Sequence, residues 1–451
     1  IFKAYDIRGV VGQSLTHEIV EQIGRAIGTE ALNAGDSAVV VGRDGRISGP
    51  GIASALMDGI CAVGCNTVDI GMVPTPFTYF SSHKLGIGSA VSVTGSHNPP
   101  DYNGLKVMIG THTLAAERIQ ALRERIVAQD FSKGTGQRQS HDIVPAYIDR
   151  VVGDIKLDRP LRIVTDCGNG VAGMAAPGLL RDIGCEVSEL FSEVDGNFPN
   201  HHPDPSVAKN LATLIDTVQR ENADLGLAFD GDGDRLGVVS GTGQIIWPDR
   251  QMILFAKDIL SRNPGAQIVY DVKCSRLLPR AIEQAGGRPL MWKTGHSFIK
   301  GKLRETGAAL GGEMSGHLFF KERWYGFDDA IYAAARLCEL LSRRSESPSE
   351  VFSQIPDTIN TPELRLEMNE GEHHQLILEL VAQGKFEGGQ TCKIDGIRVD
   401  FDDGFGLARA SNTTPTVILR FEADTQEGLE RIQTCYREQI LALRPKIQLP
   451  F

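Results

Sequence analysis

The 451-residue sequence has no surplus of basic residues: 46 Lys and Arg face 57 Asp and Glu, for a net charge of −11. A general nucleic-acid or anionic-membrane binder needs a basic surface, so neither partner is expected. If the ligand is an anion, its positive charge must be gathered locally. Long apolar runs are also missing, and no cationic-apolar leader is visible, so no bilayer-spanning or exported chain is expected. The chain opens on Ile1 rather than Met, which leaves its true start open. Cysteine is sparse and scattered. The closest of the eight, Cys61 and Cys65, have three residues between them and no His beside them. That pattern suits small buried residues in a reducing, cytoplasmic setting better than zinc ligands or disulfides.

Glycine, by contrast, is plentiful, at 50 residues against a usual share of about 7%. Many of these glycines fall in short loops beside Asp, Ser and Arg. With 41% apolar residues, the chain can bury a full core without staples. One pattern recurs: an apolar strand, a polar turn, a helix, a Gly, and a second strand. It runs from Ser37 through CNTVDIG, from Leu161 through CEVSEL, and from Gln267 through RPLMW. This is the βαβ signature of mostly parallel sheets with helices on both faces. After Pro356 shorter alternating strands and two amphipathic helices predict a small α+β unit. The expected architecture is three related α/β domains, 1–141, 142–244 and 245–356, and a C-terminal α+β domain, 357–451, around a central cleft.

Four segments could carry chemistry. Asp230-Gly231-Asp232-Gly233-Asp234-Arg235 lies between the strand-like runs ADLGLAF and LGVVS. Three carboxylates in one tight loop repel, so a divalent cation or strong bases must hold them. The EF-hand pattern fails, with Arg235 and Gly241 at its Gly and Glu positions. All-oxygen ligands favour Mg²⁺ over zinc. Val93-Thr94-Gly95-Ser96-His97-Asn98-Pro99-Pro100 follows a strand and leads to Lys106. There Ser96 is a candidate nucleophile or phosphate carrier, with His97 beside it and Lys106 a candidate cation or proton donor. The lipase-type G-x-S-x-G elbow is absent. Arg409-Ala410-Ser411-Asn412-Thr413-Thr414-Pro415, with Arg420 on the next strand, suits a phosphate, although an ordinary hairpin turn reads equally well. Gly312-Glu313-Met314-Ser315-Gly316-His317 offers groups suited to sugar hydroxyls. Lys273 and Gly295-His296 follow strands, and Tyr5-Asp6-Ile7-Arg8-Gly9 opens the chain. The run Gly168 to Gly173, with Glu189 further on, formally matches a dinucleotide fingerprint. The polar residues before it and its absence from the sister units favour a structural turn.

In order, YDIRG, TGSHNPPDYNGLK, DGDGDR, DVK, KTGH, GEMSGH and RASNTTP closely resemble the α-D-phosphohexomutase family, in particular its bacterial phosphomannomutase/phosphoglucomutase branch. The resemblance spans the whole chain. It implies reversible conversion of hexose 1-phosphate to hexose 6-phosphate, of glucose or mannose, through a phosphoserine and a hexose 1,6-bisphosphate. On this basis Ser96 is the phosphoserine, and Asp230, Asp232 and Asp234 hold Mg²⁺ with it. Arg8, His97, Lys106, Arg235 and His296 belong to the transfer centre. Tyr5, Lys273, Glu313, Ser315 and His317 meet the sugar, and Arg409, Ser411, Asn412, Thr413 and Arg420 bind the non-reacting phosphate. Partners would be sugar phosphates, and the enzyme a cytoplasmic monomer. The competing readings are a phosphoglucosamine mutase, disfavoured by Met314 where that subgroup carries Gln, a metal-dependent phosphatase, and a non-catalytic sugar-phosphate binder.

Overall fold

Three consecutive valines explain how the apolar runs become buried strands. Val39 and Val41 join one apolar cluster with Ile23 and Leu56, while Val40 joins another with Phe77 and Tyr147. A strand whose side chains alternate between two cores must be apolar throughout. Ile268 and Val269 divide in the same way in the third unit. The larger cluster, containing Val40, Ile163 and Ile268, runs through all three α/β units and joins them. The structure, a computed structural model, describes residues 1–412 and 414–451.

The three α/β units share one plan. In the first, Ala38–Arg43 lies between two parallel strands, Asn66–Met72 and Ser89–Val93, with Tyr102–Ile109 antiparallel beyond the latter. In the second, Arg162–Asp166 lies between Glu186–Leu190 and Leu225–Phe229, with Leu236–Ser240 antiparallel outside. In the third, Gln267–Asp271 lies between Arg288–Trp292 and Leu310–Gly312, with Leu318–Phe320 antiparallel outside. Counted along the chain, the spatial order is second, first, third, fourth in each case. The loop from third to fourth strand therefore leaves the carboxyl edge of the sheet each time. Those three loops carry TGSHNPP, DGDGDR and GEMSGH. Ligands of open α/β sheets bind at this edge.

The C-terminal unit is an antiparallel six-stranded sheet with helices Glu372–Gln383 and Gln426–Leu443 packed on one face through Leu376, Leu380, Ile432 and Tyr436. Phe405 and Leu407 instead pack on Val272 of the third unit. One of these strands, Gly404–Ala410, does not show in the sequence pattern, because its glycines hide the alternation. Gly406 is required there, since a Cβ would lie 2.3 Å from the Tyr436 ring. That strand and Thr416–Ala423 form the hairpin that delivers the Arg409 loop to the cleft.

Candidate active site

The Ser96 loop is shaped from a distance by a buried ion pair. Arg46, 1% exposed, donates to the carbonyls of Ser96, Asn98, Pro99 and Tyr102 over 2.6–2.9 Å. Asp44, its partner at 3.2 Å, accepts from Thr94 Oγ1 at 2.8 Å and from Gly95 N at 3.2 Å. Gly95 is needed because a Cβ would lie 2.4 Å from the Arg46 guanidinium carbon. Ser96 itself has φ +50°, a conformation uncommon for residues other than glycine and concentrated at functional sites. Its Oγ donates to Asp230 Oδ2 at 3.1 Å and lies 3.1 Å from His97 Nδ1. Burial, followed by Arg235 and Arg8, holds the His97 imidazole well below its usual pKa, so it is neutral.

The Asp loop meets Ser96 backbone to backbone. A Cβ on Gly231 would lie 2.4 Å from the Ser96 carbonyl. Asp230, Asp232 and Asp234 are all fully buried, and their ligand oxygens lie within 4.8 Å of one another. Asp230 Oδ1 accepts from the backbone N–H of Asp234 and Arg235. Asp232 sits at the start of helix Thr75–Leu85, accepting from the Thr75 hydroxyl at 2.6 Å. Lys106 donates to Asp232 at 2.7 Å and also to Asp234. Against burial, these two carboxylates raise Lys106 well above its usual pKa, so it is an ammonium. Even so, burial and the neighbouring carboxylates push Asp230 well up. One Oδ1 each of Asp232 and Asp234 is buried without a hydrogen-bond partner. A carboxylate-rich, all-oxygen cluster with orphaned acceptors fits a hard divalent cation.

The other loops close over this centre. Arg235 Nε donates to His317 Nε2 at 3.0 Å, and the two residues bridge through their backbones. His317 Nδ1 lies 3.1 Å from Asp328 Oδ2. Both ring nitrogens of His296 are buried without a hydrogen-bond partner among the described residues, and burial, then Lys300, keeps the ring neutral. Glu313 is 2% exposed and accepts from Gly295 N at 3.2 Å and from the Ser315 hydroxyl at 3.3 Å. Burial raises its pKa to about 6. Lys273 pairs with Glu363, and Arg409 Nε donates to Asp395 at 3.0 Å.

A cavity of about 590 Å³ opens here, within the usual range of small-molecule sites, with Ser96 and Lys106 on its wall and Asp230, Asp232 and Asp234 not among its lining residues. Tyr5, Arg8, Ser96, His97, Lys106 and Arg235 face it from the first two units. Lys273, His296, Glu313, Ser315 and His317 face it from the third, and Arg409, Ser411 and Asn412 from the fourth. Thr413 lies outside the described residues. Arg420 is not among the lining residues. It is buried at the seam of the third and fourth units, bonded to the Lys273 carbonyl and, at 3.4 Å, to Asp249. The fingerprint-like turn buttresses the Asp loop, with Val171 N donating to Gly231 O, and Glu189 pairs with Arg181. Sequence reading missed Asp44, Arg46, Glu363 and Asp395. Only the charged turn GRDGR after a buried strand could have flagged the first two.

The sequence matches phosphoglucomutase/phosphomannomutase alpha/beta/alpha domain I over residues 1–133, domain II over 145–243, domain III over 247–359 and the C-terminal domain over 363–439. It is 55% identical over 451 residues to phosphomannomutase/phosphoglucomutase of Pseudomonas aeruginosa, covering 100% of this chain and 97% of that one. Identity to a phosphoglucomutase of Neisseria gonorrhoeae is 53% over 444 residues, covering 98% and 96%. A crystal structure of a phosphoglucomutase/phosphomannomutase family protein from Burkholderia thailandensis superposes with a TM-score of 0.95 at 53% identity, over 100% of this chain and 99% of that one. With all four domains matched in order and relatives sharing half of all residues, the chain belongs to the phosphoglucomutase/phosphomannomutase family of isomerases.

Proposed function

We propose that the chain interconverts hexose 1-phosphates and hexose 6-phosphates of glucose and mannose through a phosphorylated Ser96 and a hexose 1,6-bisphosphate. The carrying observation is the buried Ser96 hydroxyl in contact with Asp230 of the carboxylate trio. Asp230, Asp232, Asp234 and Ser96 would hold Mg²⁺, which, when bound, neutralises charge on the carboxylates and on the transferring phosphoryl group. Lys106, held as an ammonium, and Arg235 add fixed positive charge. A sugar hydroxyl attacks the phosphorus of phosphoserine, the bond to Ser96 Oγ breaks, and a basic group takes the hydroxyl proton. In the return step Ser96 Oγ attacks the phosphorus of the other phosphate, the bond from that phosphorus to the sugar oxygen breaks and that oxygen takes up a proton, while the Ser96 hydroxyl proton passes to a basic group, for which His97, 3.1 Å away, is the candidate. Glu313, Ser315, Lys273, His296, His317 and Tyr5 would orient the sugar, and Arg409, Ser411, Asn412, Thr413 and Arg420 would clamp the idle phosphate. Turning the bisphosphate end for end requires a clamp that accepts either phosphate and releases it.

On this reading the domains are 1–141, 142–244, 245–356 and 357–451. All four contribute to one cleft within one chain, which supports a monomer. No helix among the described residues is long and apolar enough to cross a membrane. The test is Ser96→Ala, assayed with glucose 1-phosphate, mannose 1-phosphate and glucosamine 1-phosphate, with and without Mg²⁺. Turnover is expected to fall at least ~10³-fold, with sugar-phosphate binding retained. Full turnover by the variant would remove Ser96 from the reaction. Phosphate release at the turnover rate would mark a phosphatase instead.

A further inference from the structure

A second cavity, of about 290 Å³, opens where the first and third units meet, away from the cleft. Its walls come from helix Thr75–Leu85, strand His112–Thr113, helix His296–Thr306 and the segment 321–327. No carboxylate lines it, although the chain carries a net charge of −11. Lys300, Arg304 and Lys321 do. Arg304 donates to the carbonyl and hydroxyl of Thr111, each at 2.8 Å. Neither Arg304 nor Lys321 forms an ion pair among the described residues, so their charge is available to a ligand.

One wall is flat. The rings of Tyr325 and Phe327 are parallel within 1°, and His83 stacks on Tyr325 with centroids 4.8 Å apart. Tyr325 is 38% exposed and lines the cavity, with His83 against its ring and the Arg150 guanidinium carbon 5.8 Å from the ring centre. On the floor, Lys300 Nζ lies 4.1 Å from the centre of the Tyr79 ring. The same ammonium donates to Asp328 Oδ1 at 2.7 Å, and the other oxygen of the fully buried Asp328 lies 3.1 Å from His317 Nδ1 in the cleft.

We propose that this cavity is a second ligand site, taking an anion that carries a flat ring, and that its occupancy is felt in the cleft through Lys300 and Asp328. Arg304 and Lys321 would meet the anion, and the Tyr325 face the ring. Its size, just below the roughly 300–1,000 Å³ usual for ligand sites, limits the occupant to about a mononucleotide. An anion bound over the floor shares the Lys300 ammonium with Asp328. The buried carboxylate then loses part of its compensation and its hold on His317 loosens. Occupancy therefore lowers turnover without occupying the sugar-phosphate site.

The test titrates the magnesium-loaded full chain with adenosine monophosphate, phenyl phosphate and inorganic phosphate, in the presence of saturating glucose 1,6-bisphosphate. One adenosine monophosphate per chain is expected to bind, with inorganic phosphate about tenfold weaker. Arg304→Ala and Lys321→Ala should each weaken binding about tenfold and leave turnover without the probe unchanged. Tyr325→Ala should erase the advantage of the ringed probes. In kinetics, the probe should lower kcat at constant KM, and Arg304→Ala should shift that inhibition to higher probe concentration. Absence of saturable binding, or binding indifferent to both cation substitutions, would overturn the site. Inhibition seen only as a rise in KM would place the probe in the cleft, and binding without change in kcat would overturn the coupling.

Discussion

At the Ser96 end of the cleft three carboxylates, Asp230, Asp232 and Asp234, crowd within 4.8 Å of one another, whereas at the Arg409 end each carboxylate is set against its own cation, Glu363 against Lys273 and Asp395 against Arg409. Asp230 is pushed well up by burial and by Asp232 and Asp234. Glu363, by contrast, is held at about 2 despite burial, because Lys273 and Arg409 are beside it. In the first region the carboxylates neighbour one another, and in the second each neighbours a cation. This difference suggests which end takes a metal ion and which takes the idle phosphate, independently of any motif. It also distinguishes two kinds of preparation. The Ser96 loop is pinned by contacts that no ligand needs to break, while Lys273 and Arg409 are occupied by contacts that a ligand can replace.

The largest expected effect comes from breaking the pinned end. Arg46 touches no substrate position, yet it gathers four carbonyls of the Ser96 loop. Arg46→Ala leaves Asp44 buried without its cation, at a cost of about 3–5 kcal/mol in unfolding free energy. Denaturant unfolding checks the energy, and residual turnover at a temperature where the variant stays folded checks the positioning. Arg46→Lys restores charge without the fork of donors, so it should recover part of the stability and little of the turnover. Near-normal turnover in both variants would mean that the loop is not set in advance.

A smaller effect tests the sugar-facing wall between the two ends. Burial raises the Glu313 carboxyl from 4.5 to about 6. The native state then binds more protons than the unfolded chain between those values, so stability falls as pH rises from about 4.5 to 6 and is level above. A shift of this size corresponds to about 2 kcal/mol. Glu313→Gln removes the dependence, so its melting temperature should gain on that of the parent across this window. A constant difference between the two proteins from pH 4 to 7 would show that Glu313 is ionised in the fold throughout.

Much of this was legible in the sequence because chemistry and contiguity coincide. TGSHNPP, DGDGDR and GEMSGH each occupy the third-to-fourth-strand loop of the same topology, so one short stretch carries one functional edge. What escaped is what acts across the chain. Arg46 reaches residues some fifty positions away, and within GRDGR nothing separates it from an ordinary polar turn. Asp395 and Glu363 are single acids on either side of undistinguished segments, and only folding brings them to Arg409 and Lys273. Gly404–Ala410 was lost because its glycines serve the Tyr436 ring rather than the strand pattern. Arg420, which the family resemblance assigns to the phosphate, is bonded to the Lys273 carbonyl and Asp249.

The smallest expected effect sharpens the idea of a displaceable partner. Asp395 Oδ2 accepts from Arg409 Nε and from Thr294 N, both at 3.0 Å. Asn at 395 keeps an acceptor for either donor and removes only the negative charge near the proposed phosphate. A partly screened pair of this kind is worth ~1 kcal/mol or less, so KM for the sugar phosphate should fall up to about fivefold with kcat little changed. Raising the ionic strength should shrink the difference between Asp395→Asn and the parent, since screening removes the same charge effect. A rise in KM would mean that the carboxylate orients Arg409 for the phosphate rather than competing with it. The Arg409 end would then be as fixed as the Ser96 end, and the contrast between the two would rest on the crowding of the Asp trio alone.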